Sequence, residues 1–142
     1  MNWKQEAIDR LQKYTAMEKA VENLPEELKR VEQQSYGLTS KPDTLRVDYT
    51  PKAGDNAMLN HLVHRQELEM AYENARIWVS TTRRAMLALT REDQAILYSM
   101  YVQPQKGAVN KLCEQLGVDQ SSVYRKRDGA LYRFTLALYG AA

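Results

Sequence analysis

The spacing of apolar residues between positions 109 and 127 constrains the fold of this chain most strongly. Leu112 and Leu116 lie one helical turn apart in a first predicted helix. Val118 follows in a short turn, and Val123 lies one turn into the next predicted helix, so the four side chains can share one small core. Gly117 stands where the first helix ends and a left-handed backbone is needed. The pattern predicts a helix-turn-helix.

Two further residues fit this motif. Cys113 is a small side chain at the place where the two helices approach most closely, and Asp119 is suited to cap the second helix. With the apolar residues turned inward, a set of polar side chains faces outward from the front of the second helix. These residues are Gln120, Ser121, Tyr124, Arg125 and Asp128.

The outward set has the chemistry of a DNA-reading surface. Arginine pairs with guanine and glutamine with adenine, while serine and tyrosine reach backbone oxygens. Residues 121–133 carry four cations against one anion, Asp128, which could instead orient a neighbouring arginine. We therefore expect the second helix to contact double-stranded DNA. The predicted DNA-binding residues are Lys106, Lys111, Gln120, Ser121, Ser122, Tyr124, Arg125, Lys126 and Arg127.

A plainer interpretation stands beside this one. Helix-glycine-helix segments with buried leucines occur in many helical proteins that do not touch nucleic acid, and a run of charges is usually only a solvated face. The run Tyr124-Arg-Lys-Arg favours DNA binding because it falls on the helix that the motif independently assigns to the groove.

The same part of the chain resembles a known family. The segments LTREDQAILYSMY (89–101), LCEQLGV (112–118) and SVYRKRDGALYRF (122–134) are similar to region four of bacterial sigma factors. They look still more like the small phage and prophage regulators of the ArpU and RinA type, which also join a helical N-terminal half through a polar loop to a C-terminal helix-turn-helix. This resemblance implies a DNA-binding transcriptional regulator of the late-gene type.

Two positions depart from the sigma pattern. Sigma factors usually have an apolar residue four positions after the valine of the reading helix, where this chain has Arg127. Gly129 lies inside the same predicted helix. The resemblance therefore implies DNA binding and does not extend to sigma activity itself.

Composition agrees with a small helical protein. A chain of 142 residues supports one or two compact units, and 44% hydrophobic content with six glycines and four prolines argues against disorder. A single cysteine excludes an internal disulfide. No apolar run approaches the roughly 18 residues of a membrane span, and the N-terminus has no signal-peptide core. We expect an all-α protein of the bacterial cytoplasm, without a membrane partner.

The charges are distributed unevenly along the chain. The net charge is +2, and residues 1–89 contribute thirteen cations and thirteen anions. Residues 90–142 contain seven cations and five anions, so the whole excess lies in the part that carries the motif. Because the excess is small, each subunit could neutralise only a few phosphates.

The N-terminal part contains two amphipathic stripes, in predicted helices at 3–34 and 56–87. The first stripe consists of Tyr14, Met17, Val21, Leu24, Leu28 and Val31, and the second of Leu68, Ala71, Ala75, Trp78, Thr82, Ala85 and Leu89. These stripes could bury each other in an antiparallel hairpin or join two subunits. Since one reading helix specifies only a few base pairs, we expect a homodimer built by the N-terminal part.

A polar connector at about residues 35–55 separates the two stripes. We divide the chain into a helical N-terminal region, 1–88, and a DNA-binding domain, 89–142. Pro25 interrupts the first stripe and predicts either a kink or a helix restart. The connector is interpreted as a disordered linker, with a short strand at 45–49 as the alternative.

Sequence patterns for catalysis are weak. His61, His64 and Glu67 follow one another at helical spacing and would suit a metal face, but no second helix supplies the remaining ligands. No phosphate-binding glycine loop or nucleophile motif occurs. We expect ordinary surface or interface histidines, no metal, no cofactor and no enzymatic activity.

Two alternative functions remain open. A small terminase subunit also joins a helix-turn-helix to an oligomerising helical region, and it packages viral DNA without regulating genes. A ring-shaped oligomer would favour that function, whereas a dimer would favour regulation. A sigma-like module that binds RNA polymerase is the second alternative, and its outward arginines would be dispensable.

Overall fold

The computed structural model describes residues 2–39 and 53–140. Its helices are α1 (Trp3–Thr39), α2 (Ala53–Leu87), α3 (Arg91–Leu97), α4 (Ala108–Leu116) and α5 (Gln120–Tyr139), and a π-helical turn at Tyr98–Val102 continues from α3. The described residues form helices and no strand, which confirms the all-α prediction. Within the same residues, none of the helices combines the length and the apolar character needed to traverse a bilayer.

The two long helices extend beyond their predicted ends. α1 continues to Thr39 and α2 begins at Ala53, so both ends of the predicted connector at 35–55 are helical. Pro25 lies inside α1, and the predicted helix restart at this residue is therefore wrong. Val31 beyond the proline is buried, and its packing offsets the backbone hydrogen bond that proline removes. The possible strand at 45–49 lies outside the described residues.

Packing divides the chain into two compact units. Unit 1 comprises Met1–Glu18 and Ile77–Ala142, and unit 2 comprises Lys19–Arg76. Unit 1 thus combines the first turns of α1 and the last turns of α2 with all three C-terminal helices. Its core includes residues distant in sequence, because Ala7 and Leu11 of α1 pack in one cluster with Phe134 of α5.

Apolar residues at helical spacing build the main core of unit 1. α5 contributes Ala130, Leu131 and Phe134, which are completely buried. α1 presents Leu11, which is also completely buried, and the half-buried Tyr14. Together these contacts make the N-terminal turns of α1 a support for α5.

Polar contacts join α1 to α2 within unit 1. The Arg10 guanidinium stacks on the Trp78 ring at 4.7 Å, and its Nε donates to Thr82 Oγ1 at 2.7 Å. Thr82 is completely buried, so this hydrogen bond satisfies a hydroxyl that has no access to water. The pair fixes the register between the first turns of α1 and the last turns of α2.

In unit 2, α1 and α2 are neighbours. Val31 and Ala75 are buried, and Arg65 donates to Glu32 across the two helices at 2.9 Å. Farther along the second predicted stripe, Thr82, Ala85 and Leu89 are buried within unit 1. Those members of the stripes are therefore covered by the chain's own helices, as the hairpin alternative predicts. Ala71 is an exception, because it is exposed.

A different apolar surface of α2 remains open in unit 2. We call Leu59, Leu62, Val63 and Met70 the α2 apolar face. Each of these side chains is about half exposed or more, from 46% at Val63 to 60% at Leu59. Their spacing places them on one side of the helix, opposite the buried Ala75. The sequence pattern predicted only the stripe on the other side of α2 and did not indicate this face.

Candidate functional site

The turn between α4 and α5 has the backbone geometry that the sequence predicts. Gly117 is left-handed, with φ 66° and ψ 36°, and its N–H donates to Cys113 O at 2.9 Å. Asp119 then caps α5, since its Oδ1 accepts from the Ser122 N–H at 2.9 Å. Both the terminating glycine and the N-cap are thereby confirmed.

A small core lies beneath the α4–α5 pair. Leu112 and Val123 are buried in it together with Ile96 of α3. Partly buried side chains surround them, namely Met100, Val109, Cys113, Leu116 and Val118. The predicted convergence of the four apolar residues is confirmed, and Cys113 packs against them. α3 and the π-helical turn supply the contacts that the motif alone could not indicate.

The front of α5, Gln120–Arg125, presents polar side chains away from that core. Gln120, Ser121, Tyr124 and Arg125 are exposed, as predicted. The amide of Gln120 donates to Asn110 Oδ1 at 3.1 Å, which joins α5 to α4. Arg125 Nη2 lies 3.5 Å from Ser122 Oγ, the limit of a hydrogen bond, so the guanidinium is held only weakly.

Asp119 adds a negative charge at the start of this surface. Hydrogen bonds from Ser122 and from the Ser121 hydroxyl lower the pKa of Asp119. The carboxylate is therefore ionised at neutral pH and faces the positive end of the α5 dipole. Its two serines are the ones predicted to reach DNA, so the N-cap also fixes the directions of their backbone and hydroxyl groups.

The rear of α5, Lys126–Arg133, is arranged differently. Lys126 Nζ lies 2.7 Å from Glu92 Oε1 of α3, so this predicted phosphate contact is already paired with an anion. Arg133 forms two hydrogen bonds to Asp93, at 2.6 and 2.8 Å. Glu92 and Asp93 are adjacent at the start of α3, which thereby anchors two cations of α5.

Arg127 occupies the position where the sigma pattern has an apolar residue. Its side chain is only 21% exposed, and its guanidinium stacks on the Tyr124 ring at 5.0 Å. The head group also lies beside Tyr101; burial raises the pKa of that phenol, and Arg127 opposes the shift. The arginine stem thus packs as an apolar side chain would. Its contact with DNA stays a prediction.

Asp128 orients a neighbouring arginine, which was the alternative interpretation of this residue. Its Oδ1 accepts from Arg127 Nη2 at 2.9 Å and from Lys4 Nζ of α1 at 2.7 Å. Burial alone would raise the pKa of Asp128, but these two cations outweigh it and lower the pKa. The contribution of Lys4 could not be anticipated, because it comes from the other end of the chain.

Gly129 has a structural reason inside α5. A Cβ at this position would lie 3.2 Å from Arg133 Nη1, because the guanidinium crosses Gly129 on its way to Asp93. The Asp93 side chain is only 5% exposed, so its charge depends on this bidentate partner.

The remaining predicted contacts flank the front of α5. Lys106 is exposed in the turn before α4, and Lys111 is exposed on α4. A depression of about 370 Å³ lies where α4 and α5 begin, lined in part by Asn110, Gln120 and Tyr124. The structure therefore brings the predicted residues of the α5 front to one surface with α4.

The predicted histidine pair does not gather further ligands. His61 is half-buried on α2, whereas His64 and Glu67 are exposed. In the part of the chain that the structure describes, no three histidine, cysteine or carboxylate side chains come together as metal ligands. Cys113 is a free, partly buried thiol in the small core.

No family model, curated protein or solved structure matches this chain. The geometry of the α4–α5 pair therefore carries the functional argument alone.

Proposed function

We propose that this protein is a sequence-specific transcriptional regulator that inserts α5 into the major groove of double-stranded DNA. One observation carries the proposal: α5 is capped at its start, packs one side on the small core and exposes Gln120, Ser121, Tyr124 and Arg125 on the other. A helix that reads the major groove needs one face packed on the protein core and a polar face exposed to the bases.

The exposed side chains form two groups, one suited to contact bases and one suited to contact phosphates. Arg125 and Gln120 have the paired donors and acceptors that distinguish guanine and adenine. Ser121, Ser122 and Tyr124 carry hydroxyls suited to phosphate oxygens. The exposed lysines at the rim, Lys106 and Lys111, supply attraction to phosphate that does not depend on sequence. Lys126 adds to this attraction only when it leaves Glu92.

The resemblance of residues 89–142 to sigma region four and to ArpU and RinA type regulators gives the proposal its biological setting. On that basis the protein is a phage or prophage regulator of late genes that acts in the cytoplasm of a bacterial host. We assign α3, the π-helical turn, α4 and α5 to the helices of such a domain as part of this proposal.

The proposal includes a second DNA-binding domain, supplied by a second copy of the chain. With only two excess cations in residues 90–142, one head has too little contact to select a site in a genome. The α2 apolar face, rather than the two stripes, whose members are mostly buried or partly buried within the chain, is the surface we assign to a homodimer. Two-fold symmetry then places half-sites about 10 bp apart, or a multiple of that spacing.

Selection from a pool of random duplexes tests DNA recognition directly. The full chain should enrich one motif, and Arg125→Ala should lose the preference at one base position. Arg84→Ala is the matched control, since Arg84 is an exposed cation at the end of α2 and away from the α5 front. Failure to enrich any motif at low salt would overturn the proposal.

Light scattering on the full chain tests the dimer separately. Leu62→Glu places a charge in the α2 apolar face and should convert a dimer to a monomer, whereas Asn60→Glu adds the same charge at an exposed polar position next to it. A monomeric wild-type chain at micromolar concentration, or a dimer indifferent to Leu62→Glu, would contradict this interface.

A further inference from the structure

An apolar groove in unit 1 lies away from the α5 front. α1, α2, α3 and the π-helical turn enclose about 370 Å³, with Met86, Leu87, Ala95 and Val102 among the lining residues. Leu87 is 68% exposed at its edge, a large apolar side chain left in water. A volume of this size lies at the lower end of the range for small-molecule sites, roughly 300–1,000 Å³.

The charged groups of the groove have one sign. Arg83 and Arg91 line it, and no carboxylate does so among the described residues. Arg83 donates to Tyr14 Oη and to Glu18 Oε2, each at 3.1 Å, so its position is fixed. Arg91 is exposed and makes no side-chain hydrogen bond or ion pair within the described part of the chain. An anion beside Arg91 would replace water around this exposed guanidinium with a charge-assisted hydrogen bond.

The volume favours a small molecule over a protein partner. At about 30 Å³ for each non-hydrogen atom, as in liquid water, the groove holds roughly a dozen atoms. A protein segment could place only two or three side chains there, far less than the roughly 1,200 Å² of a stable interface. A compact ligand can be enclosed by the same walls.

We propose that this groove binds a small amphiphilic anion, with an apolar body of roughly a dozen non-hydrogen atoms and one carboxylate or similar group beside Arg91. The apolar body displaces water from Met86, Ala95 and Val102, and the anion pairs with the guanidinium. This site is independent of DNA recognition and stands whether or not α5 binds DNA.

Isothermal titration of the full chain with sodium decanoate below its micellar concentration tests the proposal. Decyltrimethylammonium has an alkyl chain one carbon longer and the opposite charge, and it should bind at least about tenfold more weakly. Arg91→Gln should remove most of that difference, whereas Arg84→Gln, an exposed cation outside the groove, should leave it. Equal binding of the two probes would overturn the proposal, as would an Arg91→Gln variant that keeps the preference.

Two substitutions at the exposed edge keep the test independent of folding. Leu87→Lys should tighten decanoate binding and Leu87→Glu should weaken it, each by about threefold to fivefold, and neither disturbs a buried residue. Ala95→Phe fills the groove and should weaken both probes. The proposal would be overturned if Leu87→Lys, Leu87→Glu and Ala95→Phe all left the decanoate affinity unchanged. Dissociation of a dimer by Leu87→Lys would do so too, since it would assign the groove to a second copy.

Discussion

The front and the rear of α5 carry similar numbers of polar side chains but hold them in opposite ways. At the front, Arg125 has one hydrogen bond at the distance limit, to Ser122 of its own helix. At the rear, Lys126 and Arg133 are paired with Glu92 and Asp93 of α3. Lys126 and Arg133 at the rear anchor the helix, whereas Arg125, the one cation at the front, has no ion pair among the described residues.

This difference matters for interpreting charge in a sequence. Four cations between residues 121 and 133 look equivalent when they are counted, but their availability depends on which carboxylates the fold brings near. Pairing at the rear orients α5 on α3 before any ligand binds. The entropy of fixing the reading helix is therefore lost during folding and not during binding.

The largest expected effect is on stability, at the buried ion pair between Asp93 and Arg133. Asp93→Ala removes a carboxylate that is 5% exposed and leaves Arg133 without its partner, which should cost about 2–4 kcal/mol in the free energy of unfolding. Asp128→Ala is the matched control, because that carboxylate also pairs with an α5 cation, Arg127, and with Lys4 of α1, but is 47% exposed. It should cost about 1 kcal/mol or less.

Urea unfolding followed by circular dichroism measures both variants. Equal losses for Asp93→Ala and Asp128→Ala would show that burial does not distinguish the two carboxylates. A loss of about 1 kcal/mol or less for Asp93→Ala would show that the Asp93–Arg133 pair anchors α5 no more strongly than an exposed ion pair.

The next effect contrasts the front with the rear in DNA binding. Arg125→Ala should cost about 1–3 kcal/mol in affinity for the selected motif, with an unchanged unfolding midpoint. Arg133→Ala should lower the unfolding midpoint and leave the DNA affinity unchanged, because the Arg133 guanidinium is hydrogen-bonded to Asp93. Binding isotherms and thermal unfolding of both variants check the pair. Loss of affinity in folded Arg133→Ala, with Arg125→Ala unaffected, would invert the comparison.

The local part of this arrangement could be predicted from the sequence. The apolar spacing at 112–123, the left-handed Gly117 and the Asp119 cap all depend on neighbours within a few residues. Helical periodicity determines which face is apolar, and turn geometry determines which residue types fit. The positions facing out at the α5 front follow from the same local rules.

The long-range part could not be predicted in this way. Periodicity does not tell which element covers an apolar face, so the burial of Leu11 with Phe134 was missed. The pairs Asp93–Arg133 and Glu92–Lys126 join residues 40 and 34 positions apart. A charge pattern does not indicate such partners without the fold. The α2 apolar face was missed for a related reason, because both sides of that helix carry apolar residues.

A smaller effect concerns the glycine beneath Arg133. Alanine normally stabilises a helix interior by about 1 kcal/mol relative to glycine. At Gly129 the added Cβ would lie 3.2 Å from a guanidinium that two hydrogen bonds hold in place, so Gly129→Ala should give no gain or a slight loss. In an Arg133→Ala background the same change should recover the full gain. Additive effects in this double-mutant cycle would contradict the packing explanation.

The smallest expected effect is on DNA affinity, and it tests whether Glu92 keeps Lys126 from contacting phosphate. Glu92→Gln removes the anion 2.7 Å from Lys126 and leaves the lysine able to turn to phosphate. An exposed pair of this kind contributes about 0.2–1 kcal/mol, so affinity for all duplexes should rise by about twofold to fivefold, with a steeper dependence on salt. Glu114→Gln makes the same change in net charge on the exposed side of α4 and is the control for general electrostatics. Lys126→Ala should abolish the gain, because the effect of Glu92 acts through that lysine. An equal gain from both glutamate substitutions, or a gain that survives Lys126→Ala, would show that Glu92 does not restrain Lys126. Lys126 at the rear would then differ less from Arg125 at the front than their contacts indicate.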